Sequence, residues 1–188
     1  LGFDPSLFTR KQLNIYFNNS LTLKPIVNNL VDKLYSKKIS KTKPFFLLKD
    51  KIVGKSYKSK IIKISNILRS NKADYLFVSA PENVAWTLNI RGSDNPNSPI
   101  PNCHLIIGKN KKLFLNTKKE KATKILKNSK INKLQIINPE NFFDLIKKLK
   151  GNKFIIDPLS CSILNESLIK SKFRIINKDD PCYKLKSI

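Results

Sequence analysis

Nucleophilic and metal chemistry draw on His, Cys and carboxylates, and this chain has one His, three Cys and 13 acidic residues. His104 follows Cys103 and opens a run that reads as a strand. A zinc site needs three or four ligands, typically in local pairs. Neither Cys161 nor Cys182 has a Cys or His neighbour in sequence, so His104 reads as a polar residue at a strand start. A Ser-His-Asp set stays open with a single His, but no GxSxG elbow supports it. Asp157, before Pro158, is placed to cap the helix that follows, and Asp179–Asp180 before Pro181 reads as another helix start. No pair of carboxylates has the spacing of glycosidase or two-metal chemistry. Gly54, Lys55 and Ser56 resemble the tail of a phosphate-binding loop, but Lys49 stands where that motif needs its first Gly, so they read as an ordinary helix start. By itself the chain carries no recognisable catalytic set.

The loop "NIRGSDNPNSPIPN", residues 89–102, is different. Arg91 is one of only four Arg, and Trp86, the only Trp, lies just before it. Arg91 beside Gly92 and Asp94 is suited to gripping a carboxylate or a peptide group. Pro96, Pro99 and Pro101 would stiffen the loop and lower the entropy lost on binding. A plainer reading is also open: Arg91 and Asp94 form a local structural pair and Trp86 belongs to the core.

Which elements would hold this loop? Residues 5–18 read as a helix with Asp4 as N-cap and Pro5 at its first position. "LTLKPIV" reads as a short strand that ends near Pro25, "NNLVDKLYS" as a helical turn, and residues 36–53 as an irregular connector between two globular pieces. "SYKSKIIKISNILRSN" has the apolar spacing of a helix, with Ser56 as N-cap. "DYLFVSA" is a buried strand and "PENVAWTLN" a short helix begun by Pro81. After the loop, "HLIIGKNKKLFLN" reads as a hairpin around Gly108, Lys109 and Asn110. Three helix–strand units follow: residues 118–129 with 133–138, 140–150 with 153–158, and 160–171 with 173–177. That alternation predicts an α/β fold with a mostly parallel sheet and one antiparallel hairpin.

With 188 residues and 40% hydrophobic content, the chain can bury a core. No apolar run approaches the length of a membrane helix, and no signal peptide is visible. An odd Cys count without CxxC fits a reducing cytoplasm. The net charge is +24. It invites a nucleic-acid reading, but Lys, Asn and Ile are abundant together, as AT-rich codons would specify. Arg, the residue preferred for bidentate base and phosphate contacts, is scarce. Coding bias is therefore favoured over specific nucleic-acid binding. The chain begins with Leu1 and stops at "CYKLKSI" without a helix stop, so both ends read as cuts.

"ENVAWTLNIRGSDNPNSP" closely resembles the segment of the cytosolic-type Xaa-Pro aminopeptidases (aminopeptidase P) that reads roughly "(D/E)xIAWLxNxRGSDxxxxP". "LGFDPSLFT" is similar to the family's "IGYDPxLHT", "NLVDKLY" to its "NLVDxxW", "GKSYKSKI" to its "GxSxxxKI", and "DPCYKLKSI" to its "DPCxxxKAxK". The matches run in family order over essentially the whole chain. Phe8 replaces the family's His, and Leu34–Tyr35 stands near its Trp.

The resemblance implies a creatinase/prolidase N-terminal-like α/β domain, with a mixed, mostly parallel sheet flanked by helices, preceded by the tail of a related first domain. Residues 1–53 would be that tail plus connector, 54–180 the second domain, and 181–188 the start of a linker to a catalytic domain. The family's two divalent metal ions, usually manganese, are held there by two Asp, one His and two Glu, none of which can be carried onto this chain. The resemblance thus implies no catalytic, cofactor or metal residue here. It implies a substrate-proximal loop of Arg91, Ser93 and Asp94 underpinned by Trp86, and a proline-containing peptide as the complete enzyme's substrate. A cytoplasmic setting, a homodimer, no membrane and no specific nucleic acid complete the expectation. The alternative is a stand-alone basic module for nucleic-acid or protein contact, or a pseudoenzyme kept for protein contact.

Overall fold

The computed structural model describes residues 1–17, 21–26, 28–34, 43–49, 51–127, 131 and 133–187, with Leu30 and Lys33 described by backbone alone. In chain order the elements are β1 Gly2–Phe3, α1 Arg10–Tyr16, β2 Lys24–Pro25, α2 Leu30–Leu34, β3 Phe46–Leu47, α3 Tyr57–Ser70, β4 Tyr75–Val78, α4 Pro81–Leu88, β5 Ile90–Arg91, β6 His104–Gly108, β7 Leu113–Asn116, α5 Lys119–Lys127, β8 Leu134–Ile137, a 3-10 turn Pro139–Asn141, α6 Phe142–Lys148, β9 Lys153–Ile156, α7 Ile163–Lys170, β10 Arg174–Asn177 and α8 Pro181–Lys186.

Alternation along the strands builds a three-layer fold. Leu76 and Val78 of β4, Leu105 and Ile107 of β6 and Ile155 of β9 face one core, with α3, α4, α5 and α8. Tyr75, Phe77, Ile106, Phe154 and Ile156 face the other, with α6 and α7. Each such residue, fully buried, contributes roughly 1.5–3 kcal/mol of transfer free energy. The six strands run in the order β10-β9-β4-β6-β7-β8. Three pairings are parallel and the two that involve β6 are antiparallel. The sheet is mixed, as the sequence pattern implies.

Several boundaries differ from the expectation. The helix read over residues 5–18 begins only at Arg10. Thr9 and Gln12 form a capping box, which satisfies two terminal donors at once. Asp4 instead holds a tight turn, accepting from the backbone N–H and hydroxyl of Ser6. The strand read from residue 21 ends at Pro25 as expected, but it begins only at Lys24; Val27 lies outside the described residues. The helix expected from residue 160 starts after Ser162, whose hydroxyl accepts from Asn165 N–H. Asp157 does not cap it. Its carboxylate accepts from Leu159 and Asp180 N–H, tying the end of β9 to the start of α8.

The connector read over residues 36–53 lies partly outside the described residues, but its described part is not irregular throughout. β3 pairs antiparallel with β5, and Phe45 is fully buried in the first core. The N-terminal residues dock on α7. Ile163 and Leu164, in its first turn, donate N–H to the carbonyls of Phe8 and Pro5, and Arg10 forks onto Glu166. These N–H groups have no intrahelical acceptor, so the docked segment satisfies them.

Candidate functional site

Pro81 starts α4 at a position where a missing N–H costs nothing, and Asn89 ends it in the left-handed conformation at φ 56°. The chain then turns into β5, where Ile90 is buried and Arg91 pairs with Phe46 across the two-stranded ribbon. Gly92 follows because backbone passes there. A Cβ at Gly92 would lie 2.7 Å from Pro101 Cα. Gly92 N–H also donates to the Pro99 carbonyl at 2.9 Å, which closes the loop at its base.

Asp94 locks the loop on two sides. One carboxylate oxygen accepts from Asn102 N–H at 2.6 Å; the other meets Lys121 Nζ at 2.5 Å. The Asp94 and Lys121 side chains are only 13% and 15% exposed, so this ion pair is screened less than a surface one. Lys121 also sits over the Phe45 ring at 5.7 Å. The local Arg91–Asp94 pair considered from sequence is therefore replaced by an Asp94–Lys121 pair.

Arg91 Nη1 donates to the carbonyls of Ile90 at 2.8 Å and Ala85 at 3.4 Å. Among the described residues it meets no carboxylate, and its Nε and Nη2 carry no partner. Ser93 is exposed and Trp86 is half-buried, packed against the first core. Behind them lies Lys60. It is 2% exposed, donates to the Trp86 carbonyl and Asn89 Oδ1 at 2.6 Å each, and stands 4.4 Å from the Trp86 ring centroid. Burial depresses its pKa from 10.5 to about 8, with the nearby Arg91 charge adding to the effect.

The other chemistry-bearing side chains stand apart from this loop or lie inert beneath it. His104 packs edge-on to Phe77, and burial lowers its pKa. Cys103, Cys161 and Cys182 are buried and unpaired by disulfides, and burial pushes their thiols up, Cys161 to about 12. Inert thiols follow. Among the described residues no three His, Cys, Asp or Glu come together as a metal-binding group. The donor set does not fit a two-metal centre, and no metal-dependent step is assigned to this chain. Among the described residues no helix is long and apolar enough to cross a membrane.

Lys60, Asn89 and Lys121 are absent from the sequence reading. Lys60 did leave a signal: it stands four and eight residues before Ile64 and Leu68, on the buried stripe of α3. A Lys in a core register needs oxygen partners. Lys121 left none, since "KKEKATK" looks like any solvated helix face.

Residues 36–188 match the family described as creatinase/prolidase N-terminal domain. The Dictyostelium discoideum protein named Xaa-Pro aminopeptidase 1 is 31% identical over 126 residues, 61% of this chain and 18% of its own length. An Aspergillus oryzae protein named "Probable Xaa-Pro aminopeptidase P" is 32% identical over 106 residues, 53% of this chain and 16% of its length. The solved X-prolyl aminopeptidase of Caenorhabditis elegans, described as a cytosolic enzyme with a di-nuclear active site, superposes with a TM-score of 0.76 at 22% identity. The superposition covers 94% of this chain and 31% of that one. The chain thus spans less than a fifth of the length of these two relatives and about a third of the solved chain.

Proposed function

The chain belongs to the creatinase/prolidase N-terminal domain family, and from that membership we propose that it is the non-catalytic N-terminal part of an Xaa-Pro aminopeptidase. Residues 1–53 form the tail of a first domain with its connector, 54–180 the second domain, and 181–188 the start of a linker to the catalytic domain. The complete enzyme is a cytoplasmic metallopeptidase that removes the N-terminal residue from Xaa-Pro peptides with two divalent ions, manganese by the family resemblance. This portion shapes substrate access and contributes to a homodimer.

The observation that carries the reading is the state of Arg91. Two carbonyls fix its guanidinium through one nitrogen, and among the described residues its Nε and Nη2 are unpartnered beside a loop held by Gly92, Asp94 and Lys121. A pre-positioned, half-free guanidinium is suited to a carboxylate or peptide carbonyl. Ser93 adds an exposed hydroxyl at the same loop.

The test is the reading frame beyond Ile188. Continuation for a catalytic domain with two Asp, one His and two Glu in order supports the peptidase reading. A stop codon within a few dozen residues overturns it. A second reading, a basic module for nucleic-acid or protein contact without catalysis, would rest on the +24 charge. Binding that persists above about 150 mM salt, with a steep salt dependence, would support that module instead.

A further inference from the structure

The six-stranded sheet ends at β8, whose outer side has no strand beside it among the described residues. Leu113 N–H donates to the Lys133 carbonyl and Thr117 N–H to the Ile137 carbonyl. These bonds set the alternation: residues 133, 135 and 137 turn their backbone groups toward β7, so Leu134 and Ile136 turn theirs to the open edge. Edge strands are ordinarily protected by shortness, flanking Lys, Pro, a bulge or an inward-pointing charge, and β8 has the first two, being four residues long after Lys133. "LQII" itself carries no Pro, bulge or charge, and its register with β7 is continuous. A cleft of about 480 Å³ is lined by Gln135, Ile136 and Ile137 of β8 and by Leu145, and two lysines, Lys119 and Lys148, and one carboxylate, Asp144, also line it.

We infer that the β8 edge accepts an extended acidic segment of a partner protein as a seventh strand. Main-chain bonding to Leu134 and Ile136 would supply affinity, and alternate acidic side chains would meet Lys119 and Lys148. Charge selects this occupant over a second copy of the chain. A second copy would carry another +24 and bring its own Lys119 and Lys148 to the same cleft.

Two acetylated ten-residue peptides test it, one alternating Glu and Val and one alternating Lys and Val, with amide hydrogen exchange followed in the complete protein. The expected result is at least about tenfold slower exchange at Leu134 and Ile136 with the Glu peptide alone. Ile175 and Asn177, which face outward on the opposite edge β10, should be unaffected. Ile136→Pro removes an N–H that makes no ladder bond, so β8 should persist while the Glu peptide is lost by about tenfold or more. Reversing charge with Lys119→Glu and Lys148→Glu should weaken the Glu peptide and admit the Lys peptide. Equal protection at both edges, binding of both peptides alike, or binding indifferent to the charge reversal overturns the inference. So does self-association that protects Leu134 and Ile136 without peptide.

Discussion

The ammonium of Lys60 lies 4.4 Å from the centroid of the Trp86 ring and donates to the Trp86 carbonyl at 2.6 Å. It thereby joins α3 to the C-terminal end of α4, immediately before the chain turns out to Arg91. A buried cation is costly unless oxygens and an aromatic face surround it. Here they do, and the cost remains visible as a depressed pKa.

That depression gives stability a pH dependence. Between about 8 and 10.5 the unfolded chain holds the Lys60 proton while the folded chain has released it, so this group favours folding more as pH rises through that window. Below about 8 both states are protonated and the folded state bears the full cost of the buried charge. The stability of the native chain relative to Lys60→Met should therefore grow by about 3 kcal/mol between pH 7 and 11. Urea denaturation of both proteins at the two pH values checks it, and a constant difference contradicts it.

The Asp94–Lys121 latch should be measurable as a coupling. Asp94→Asn and Lys121→Met should each cost about 2 kcal/mol, with a coupling of about 1–2 kcal/mol in the double-mutant cycle. The same cycle between Asp94 and Arg91 should give under about 0.5 kcal/mol. Strong coupling to Arg91 would restore the local pair considered from sequence.

Gly92→Ala would place a methyl group against the Pro101 backbone, 2.7 Å from its Cα. Backbone cannot rotate aside as a side chain can, so the loop must move. The expected cost is about 1–3 kcal/mol in denaturant unfolding. A neutral Gly92→Ala would show that the approach is not tight.

Thr9→Ala should remove the capping box and cost about 1 kcal/mol, with faster amide exchange through α1. Asp4→Ala should leave exchange in α1 unchanged, because Asp4 holds the preceding turn. The reverse pattern would reinstate Asp4 as the helix cap.

The layered α/β fold was legible because burial on both faces leaves near-continuous apolar runs such as "YLFV" and "KFII", separated by helical periodicity. Ser56 and Pro81 marked two helix starts correctly, since capping and N1 chemistry are local. Asp4–Pro5 is as good a turn opening as a helix start, and Thr9 followed three residues later by Gln12 is the stronger cap signal. Trp86 and the Arg91 loop stood out by rarity of residue type. Their partners did not: Lys60 and Lys121 lie 26 and 27 residues from the groups they bind, among dozens of similar Lys. Phe45 likewise gave no sign, inside a Lys- and Pro-marked stretch, that it fills the core of the following unit.

The most direct test of the account is steady-state hydrolysis of an Xaa-Pro peptide by the complete protein and its Arg91→Ala variant, with folding of both verified by thermal unfolding. The complete protein should release the N-terminal residue. Arg91→Ala should lower kcat/KM by about tenfold or more, the worth of one charge-assisted hydrogen bond. A complete protein inert toward Xaa-Pro peptides contradicts the family-based function. An active one whose KM and kcat are both unchanged by Arg91→Ala contradicts the substrate-side role of the loop.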